Sequence, residues 1–415
     1  MPNKLEDSDP TMIAKQSTDT FSFLDLARQA AQKQNWQTVT YYLQQLPSLA
    51  TKASFEKTDT ETKERVVELA LAVLTQGDFS EKWLIVKLFS YMGTFGIAPL
   101  ISTLEDDTVD AETKWFAART LGQFEQQQVV IALAQLLQNT QDLDLVAIAA
   151  KSLAQIGTPA IENLIDLAKK PDYRLVAATS LAHIRLSPVL PTLLELAADD
   201  NAEIRLIAIE ALGSFHDRRV PPVLIEALRD TNSTIRKEAV IALGCRNDLS
   251  QELDLVTHLQ PLLYDFNPDV CRQTAMALGK MKTEAAIDTL DEVLKSSNTP
   301  LDLKLNAIDA LAWSNMSLAL DCLQKAIKDS LVARKIITVL GRIKPEPLRE
   351  KAIAILQDFW SSSQPIDLEC KKALAIALGE LQALTARDTL EQLAQDETKM
   401  IQLYANASLK KLARK

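Results

Sequence analysis

The chain has 415 residues, is 47 % hydrophobic but only 5 % aromatic, and holds 10 glycines, so Ala and Leu carry its apolar load. Such a composition suits closely approaching helices and leaves too few glycines to build phosphate-cradling loops. A net charge of −10 opposes nonspecific nucleic-acid binding.

Residues 1–20 are polar and acidic, with no apolar leader-like core, and read as a disordered tail. Asp19 or Thr20 can cap a helix from Phe21 to Lys33, with Phe23, Leu26, Ala27, Ala30 and Ala31 at helical spacing. Asn35 can cap a second helix, Trp36 to Gln45, which Pro47 stops. After a polar link, a third helix from Thr60 to Thr75 ends at Gly77-Asp78. We read 21–78 as an N-terminal helical cap. No run of 18 apolar residues follows, so no membrane insertion is expected, and the predicted location is cytoplasmic. The widely spaced Cys245, Cys271, Cys322 and Cys370, without a CxxC pair, fit reduced thiols acting as small buried hydrophobes.

From residue 79 to 415 an internal repeat takes over. It is clearest where Asn201-Ala-Glu-Ile-Arg-Leu-Ile-Ala-Ile-Glu-Ala-Leu-Gly213 returns as Asn232-Ser-Thr-Ile-Arg-Lys-Glu-Ala-Val-Ile-Ala-Leu-Gly244, a period of 244 − 213 = 31 residues. Anchored on that final position, copies end at Gly93, Gly122, Ala154, Ala182, Gly213, Gly244, Gly279, Ala312, Gly341, Gly379 and Lys410. The residue before the anchor is Leu in every copy except the first, where it is Met92. Two short helices per period predict an all-α fold, an α-solenoid of about eleven helix pairs. First helices are predicted at Ile97–Leu104, Val129–Leu137, Pro159–Ala168, Val189–Ala197, Val220–Leu228 and Ala285–Leu294, several starting near Pro99, Pro159, Pro191 or Pro222. An acidic turn follows each of several first helices (Asp106-Asp107, Asp172, Asp199-Asp200, Asp230, Asp269). A cation stands eight before the anchor in Lys114, Arg174, Arg205, Arg236, Lys304 and Lys371. The turn Asp is expected to cap the second helix, and the cation to bridge to an acid of its own or the next unit as a ladder.

The D-x(3–4)-[IV]-R-x(6)-ALG pattern, followed by helices of the PxVLIEAL type, resembles HEAT repeats, and more narrowly the HEAT-like repeats of the phycobilisome lyase family. Within that group the chain is similar to non-enzymatic cyanobacterial proteins that partner an A-type iron–sulfur carrier. The resemblance implies a protein–protein interaction scaffold whose partner is such a carrier or a phycobiliprotein. The alternative it implies is a bilin lyase, or lyase subunit, attaching a tetrapyrrole to a cysteine of the client phycobiliprotein.

Catalytic signatures are missing: the sequence has no GxGxxG, P-loop, HExxH or GxSxG element, and no cofactor is expected. The one arguable metal cluster is His183, His216 and Cys245, which follow successive anchors. Stacked helices 8–10 Å apart hold such positions too far from one ion, so no metal site is predicted. The predicted partner-binding groove lies on second helices at Trp115, Phe116, Ile148, Leu175, Val176, Leu206 and Ile207, apolar residues off the main buried stripe. Equivalent places later are charged: Lys237, Glu238, Arg272, Arg334, Lys335 and Lys372. A basic edge is predicted at the post-anchor turns, through Arg185, Arg218, Arg219 and Arg246, with Lys280, Lys282, Arg342 and Lys344 beyond them.

Overall fold

A computed structural model describes residues 23–362 and 365–413; the expected disordered tail and the start of the first helix at Phe21 lie outside them. Among the described residues every regular element is a helix, α or 3-10. Two compact units divide the chain at Ala208/Ile209, inside the helix Ala202–Leu212.

In the first unit, helices 23–32, Trp36–Gln44 and Lys52–Glu56 precede Thr60–Gln76. The link after Pro47, expected to be irregular, contains both a 3-10 turn and the short helix Lys52–Glu56, whose Phe55 is buried. Thr60–Gln76 packs against Phe79–Met92 as the first pair. The next pairs are Ile97–Glu105 with Ala111–Leu121, Gln127–Asn139 with Leu143–Ile156, and Ile161–Ala168 with Arg174–His183. Leu190–Leu196 and Ala202–Leu212 follow. The second unit continues with Val220–Ala227 and Ser233–Gly244, then five more pairs ending at Lys399–Leu412. In each unit successive second helices lie against one another, which makes each an α-solenoid.

The repeat signature encodes that stacking. A Cβ built on Gly279 would sit 2.5 Å from the Ala310 carbonyl oxygen, and one on Gly341 would sit 2.7 Å from the Ala377 Cβ. Gly244 meets Ala277, and Gly379 meets Ser408, in the same way. Each partner stands two before the anchor of the following copy, so the Ala of one ALG faces the Gly of the previous one. A glycine at a helix end often also turns the chain out through a positive φ. Gly122 and Gly341 instead have ordinary helical φ of −59° and −61°, and of the anchor glycines only Gly93 takes a positive φ, 57°. Close approach, not turning, fixes most anchors.

The turns divide their work more finely than expected. Where Asp is followed by Asn two residues on, the Asp folds the turn: the N–H groups of Asn201, Asn232 and Asn267 donate to Oδ1 of Asp199, Asp230 and Asp265, each at 2.8 Å. The Asn then caps, accepting from the N–H of Glu203, Thr234 and Asp269 at 2.9, 2.8 and 2.9 Å. Asp is itself the cap at Asp59, Asp78, Asp110, Asp142, Asp329 and Asp367.

The cation eight before the anchor reaches two ways. Toward its own turn, Arg174 Nε donates to the Ala168 carbonyl at 3.0 Å, and Arg236 Nη1 to that of Asp230 at 2.8 Å. Toward the next unit, Arg174 pairs with Asp199 at 3.1 Å, Lys371 with Asp396 at 2.7 Å and Lys304 with Asp329 at 3.8 Å. Arg236 grips Asp265 with Nε and Nη2, both at 2.7 Å. These hydrogen bonds hold the carboxyls of Asp265 and Asp396 below the ordinary carboxylate range.

Phe79–Glu105 is apolar enough by composition to span a membrane, with a mean hydropathy of 1.6. Its backbone is broken at Gly93 into Phe79–Met92 and Ile97–Glu105, members of two successive pairs, and half of it is buried in the protein. Copies longer than 31 residues place the excess in first helices. Between Gly244 and Gly279 the first helix is split into Asn247–Leu249, Leu255–Leu259 and Gln260–Tyr264.

Two stability measurements test this construction. Gly279→Ala should destabilise the second unit by about 1–2 kcal/mol by urea unfolding, because overpacking outweighs the helix propensity gained, about 1 kcal/mol. A stabilised variant would mean the close approach is not limiting. Arg236→Lys keeps the charge but loses the two-point grip, and should cost about 1 kcal/mol at neutral pH. Because Asp265 titrates lower when folded, its contribution is present above the ordinary carboxylate pKa and lost as pH falls through the depressed value. The gap between wild type and Arg236→Lys should therefore narrow below about pH 4, read as unfolding midpoints.

Candidate partner-binding surface

Two second helices of the first unit, Leu143–Ile156 and Arg174–His183, leave a groove of about 630 Å³ between them. Its walls are Leu143, Val146, Ala147 and Ala150 on one side and Leu175, Val176 and Thr179 on the other, with Glu203 at the rim. Leu143 is 82 % exposed, at the first position after its Asp142 cap, and so extends beyond the stack. Apolar residues at intervals of three and four along Leu143–Ile156 thus face both the neighbouring helix and solvent.

The predicted groove residues separate by this geometry. Leu175 and Val176 are half-buried and line the groove. Leu206 and Ile207 are half-buried on the following helix, outside its lining. Phe116 and Ile148 present no surface: they are 0 % and 4 % exposed. Phe116 shares a stripe with Thr113 and Thr120, and Ile148 with Leu145 and Ser152, at the three- and four-residue steps that point into the stack. Trp115 is half-buried in an aromatic cluster, its ring 6.2 Å from Trp83 and 5.2 Å from Phe116. The Arg119 guanidinium lies over both indoles, 4.6 Å from the Trp83 centroid and 5.5 Å from that of Trp115. That cluster closes the packing between Phe79–Met92 and Ala111–Leu121 rather than opening a groove.

The basic edge is thinner than the residue count suggests. Arg246 is only 8 % exposed and donates to Asp248 at 3.1 and 3.0 Å, which neutralises it. Arg219 is exposed but grips Asp217 at 2.9 and 3.0 Å, a contact that lowers the Asp217 carboxyl to about 2. In both, an acid two residues away takes the guanidinium. Arg185 and Arg218 are exposed and form no ion pair among the described residues.

His183 is exposed at the groove's end with Nδ1 2.7 Å from the Thr179 carbonyl, and His216 is exposed. Among the described residues no group of three or more His, Cys, Asp or Glu side chains is placed to hold a metal. Cys322 and Cys370 are buried, which with the neighbouring Asp291 and Asp367 pushes their thiols up to about 11 and about 12. Burial also raises Cys271. Cys245, expected to be buried with the others, is exposed at the post-anchor turn.

Sequence reasoning missed a second, larger opening of about 700 Å³ in the second unit, between Ser330–Leu340 and Leu368–Glu380. The charged residues Arg334, Lys335 and Lys372 do stand there, but around an apolar floor of Leu301, Leu305, Leu331 and Ile376. A signal was available: a large apolar residue in the first two positions of a second helix stays exposed, as at Leu143, Leu301, Leu331 and Leu368.

The HEAT-repeat family profile matches residues 97–185, 168–244, 190–259 and 256–332. No curated protein matches the chain. Among solved structures the protein is similar to Kap95p from its complex with RanGDP, at 13 % identity over 99 % of this chain and 65 % of that one, with a TM-score of 0.56. It is similar to importin beta at 13 % identity over 94 % of this chain and 65 % of that one, with a TM-score of 0.50. It thus spans about two thirds of those two. The CpcE–CpcF complex of phycocyanin lyase from Nostoc sp. is a looser likeness, at 22 % identity over 57 % of this chain and 94 % of that one, with a TM-score of 0.30.

Thiol reactivity tests the placement of the cysteines. At about pH 8 in the folded protein a disulfide reagent should react fast with Cys245, slowly with Cys271, and with Cys322 and Cys370 only after denaturation. Fast reaction of Cys370 would show that the last two pairs open readily.

Proposed function

The chain belongs to the HEAT-repeat family, and on that premise we propose that it is a non-catalytic scaffold holding a protein partner on its second-helix surface. The observation that supports this reading is the groove between Leu143–Ile156 and Arg174–His183. It is largely apolar and open, with half-buried walls and Leu143 left uncovered at its edge. Exposing Leu143 to water has no structural benefit, and an exposed apolar patch on an otherwise charged surface marks a binding site. In this reading the helices before Thr60 close the start of the stack as a cap. The location is cytoplasmic in this reading.

The repeat pattern shared with the phycobilisome-lyase group makes an A-type iron–sulfur carrier and a phycobiliprotein the first partners to try. Kap95p, of the same fold, is described as binding RanGDP, which illustrates protein capture on such a stack.

The test is retention of purified candidate partners by the immobilised chain, compared with Leu143→Asp and Val176→Lys. Both positions are accessible, so circular dichroism should be unchanged while retention falls at least about tenfold, the scale of a lost anchor residue. Equal retention by folded Leu143→Asp removes the groove from the reading. A covalent coloured adduct, formed when the chain is mixed with an apo-phycobiliprotein subunit and bilin, replaces the scaffold with a lyase.

A further inference from the structure

We propose that the second unit carries a separate docking surface for an acidic, amphipathic helical segment of a protein partner; this rests on the scaffold reading but on a different groove. The floor of the surface is apolar and wet: Leu331 is 70 %, Leu301 44 % and Ile376 39 % exposed. Next to it a second opening of about 480 Å³ is lined by Met276, Trp313 and Val339, and Trp313 is 64 % exposed. Arg342 lines both openings, which places them side by side.

The rim decides the sign of the occupant. Across the two openings four cations, Arg334, Lys335, Arg342 and Lys372, stand with three carboxylates, Asp309, Glu369 and Glu380, on a chain whose net charge is −10. Those carboxylates are already engaged: Asp309 is held by Lys335 at 2.7 Å, Glu369 lies 3.7 Å from Arg334 and 3.9 Å from Lys372, and Glu380 is held by Lys411 from outside the rim. Arg342 is exposed and has no ion pair among the described residues. One positive charge is therefore left over beside the apolar floor, at Arg342, with Arg334 and Lys372 sharing a single acid. An acidic rim on the ligand and bulky apolar anchors beneath it match both features at once.

The spacing favours a helix. Packed helices stand 8–10 Å apart, so successive grooves between second helices recur at about that interval. Seven residues of an α-helix rise about 10.5 Å, which places anchors at i and i+7 over consecutive grooves. A nucleic acid would satisfy the cations yet leave Leu331, Leu301 and Ile376 in water, so it is the weaker fit.

A fluorescein-labelled peptide of about 18 residues, with Leu or Phe at i, i+3, i+4 and i+7 and Glu elsewhere, is the probe, read by anisotropy with the full chain. The expected result is saturable, salt-weakened binding that quenches Trp313, with the quench lost in Trp313→Phe. Arg342→Glu with Lys372→Glu should raise Kd at least about tenfold, as should Leu331→Lys, while circular dichroism stays unchanged. The same peptide with Lys for Glu should bind more weakly. No binding, equal binding of the Lys peptide, or tighter binding of a single-stranded oligonucleotide overturns the proposal. Leu143→Asp should leave peptide binding intact. Loss of partner retention at Leu143 with no peptide binding here would sink this proposal alone, and the reverse pattern would sink the groove of the first unit alone.

Discussion

Successive second helices approach until the anchor glycine of one touches the small residue two before the anchor of the next. Gly244 against Ala277, Gly279 against Ala310 and Gly341 against Ala377 leave no room for a single methyl group. Everything else follows from that distance. Backbones so close bury the Leu that precedes each anchor from all sides, as Leu243, Leu278 and Leu340 show at 0 % exposure. Side chains flanking the contact cannot reach across to cover one another, and grooves open where they fail to meet.

Polar chemistry then sets the register that packing alone leaves loose. Leu and Ala are interchangeable along a helix by a turn, but a guanidinium has one place where it reaches both a carbonyl six residues behind and a carboxylate in the next unit. Arg236 meets both conditions, with Asp230 behind and Asp265 ahead. The last copy keeps the rule with a different donor, Gln402 Nε2 reaching the Asp396 carbonyl at 2.7 Å.

The fold was legible because it is written repeatedly: period, ALG and Asp-turn all point to the same helix pair. The function-bearing surface was legible only in part. On a helix packed on two sides, Phe116 and Val176 look alike in sequence, both apolar and off the main stripe, yet one is core and the other lines a groove. The difference depends on what the neighbouring unit places opposite, which no local pattern carries. Arg246 illustrates the same limit for charge, since Asp248 and burial silence it. Leu301 and Leu331 fell outside the expected groove because the places compared between copies lie further along each second helix, where the later copies carry charges such as Arg334 and Lys335.

Not every rung carries a charge: Val146, Cys271 and Ala333 stand at the ladder position in their copies. At the ladder position of Pro268–Met281 stands Cys271, whose Sγ contacts the Asp265 carbonyl at 3.1 Å and which brings no charge to the following unit. That junction is held by Gly279 against Ala310 and by apolar packing, whereas the junctions formed by Arg236 and Lys371 depend on ionised carboxylates. Acid or salt therefore does not soften the array evenly. It loosens the charged couplings and spares the uncharged ones, so the response to the medium is graded along the chain by the identity of a single side chain per repeat.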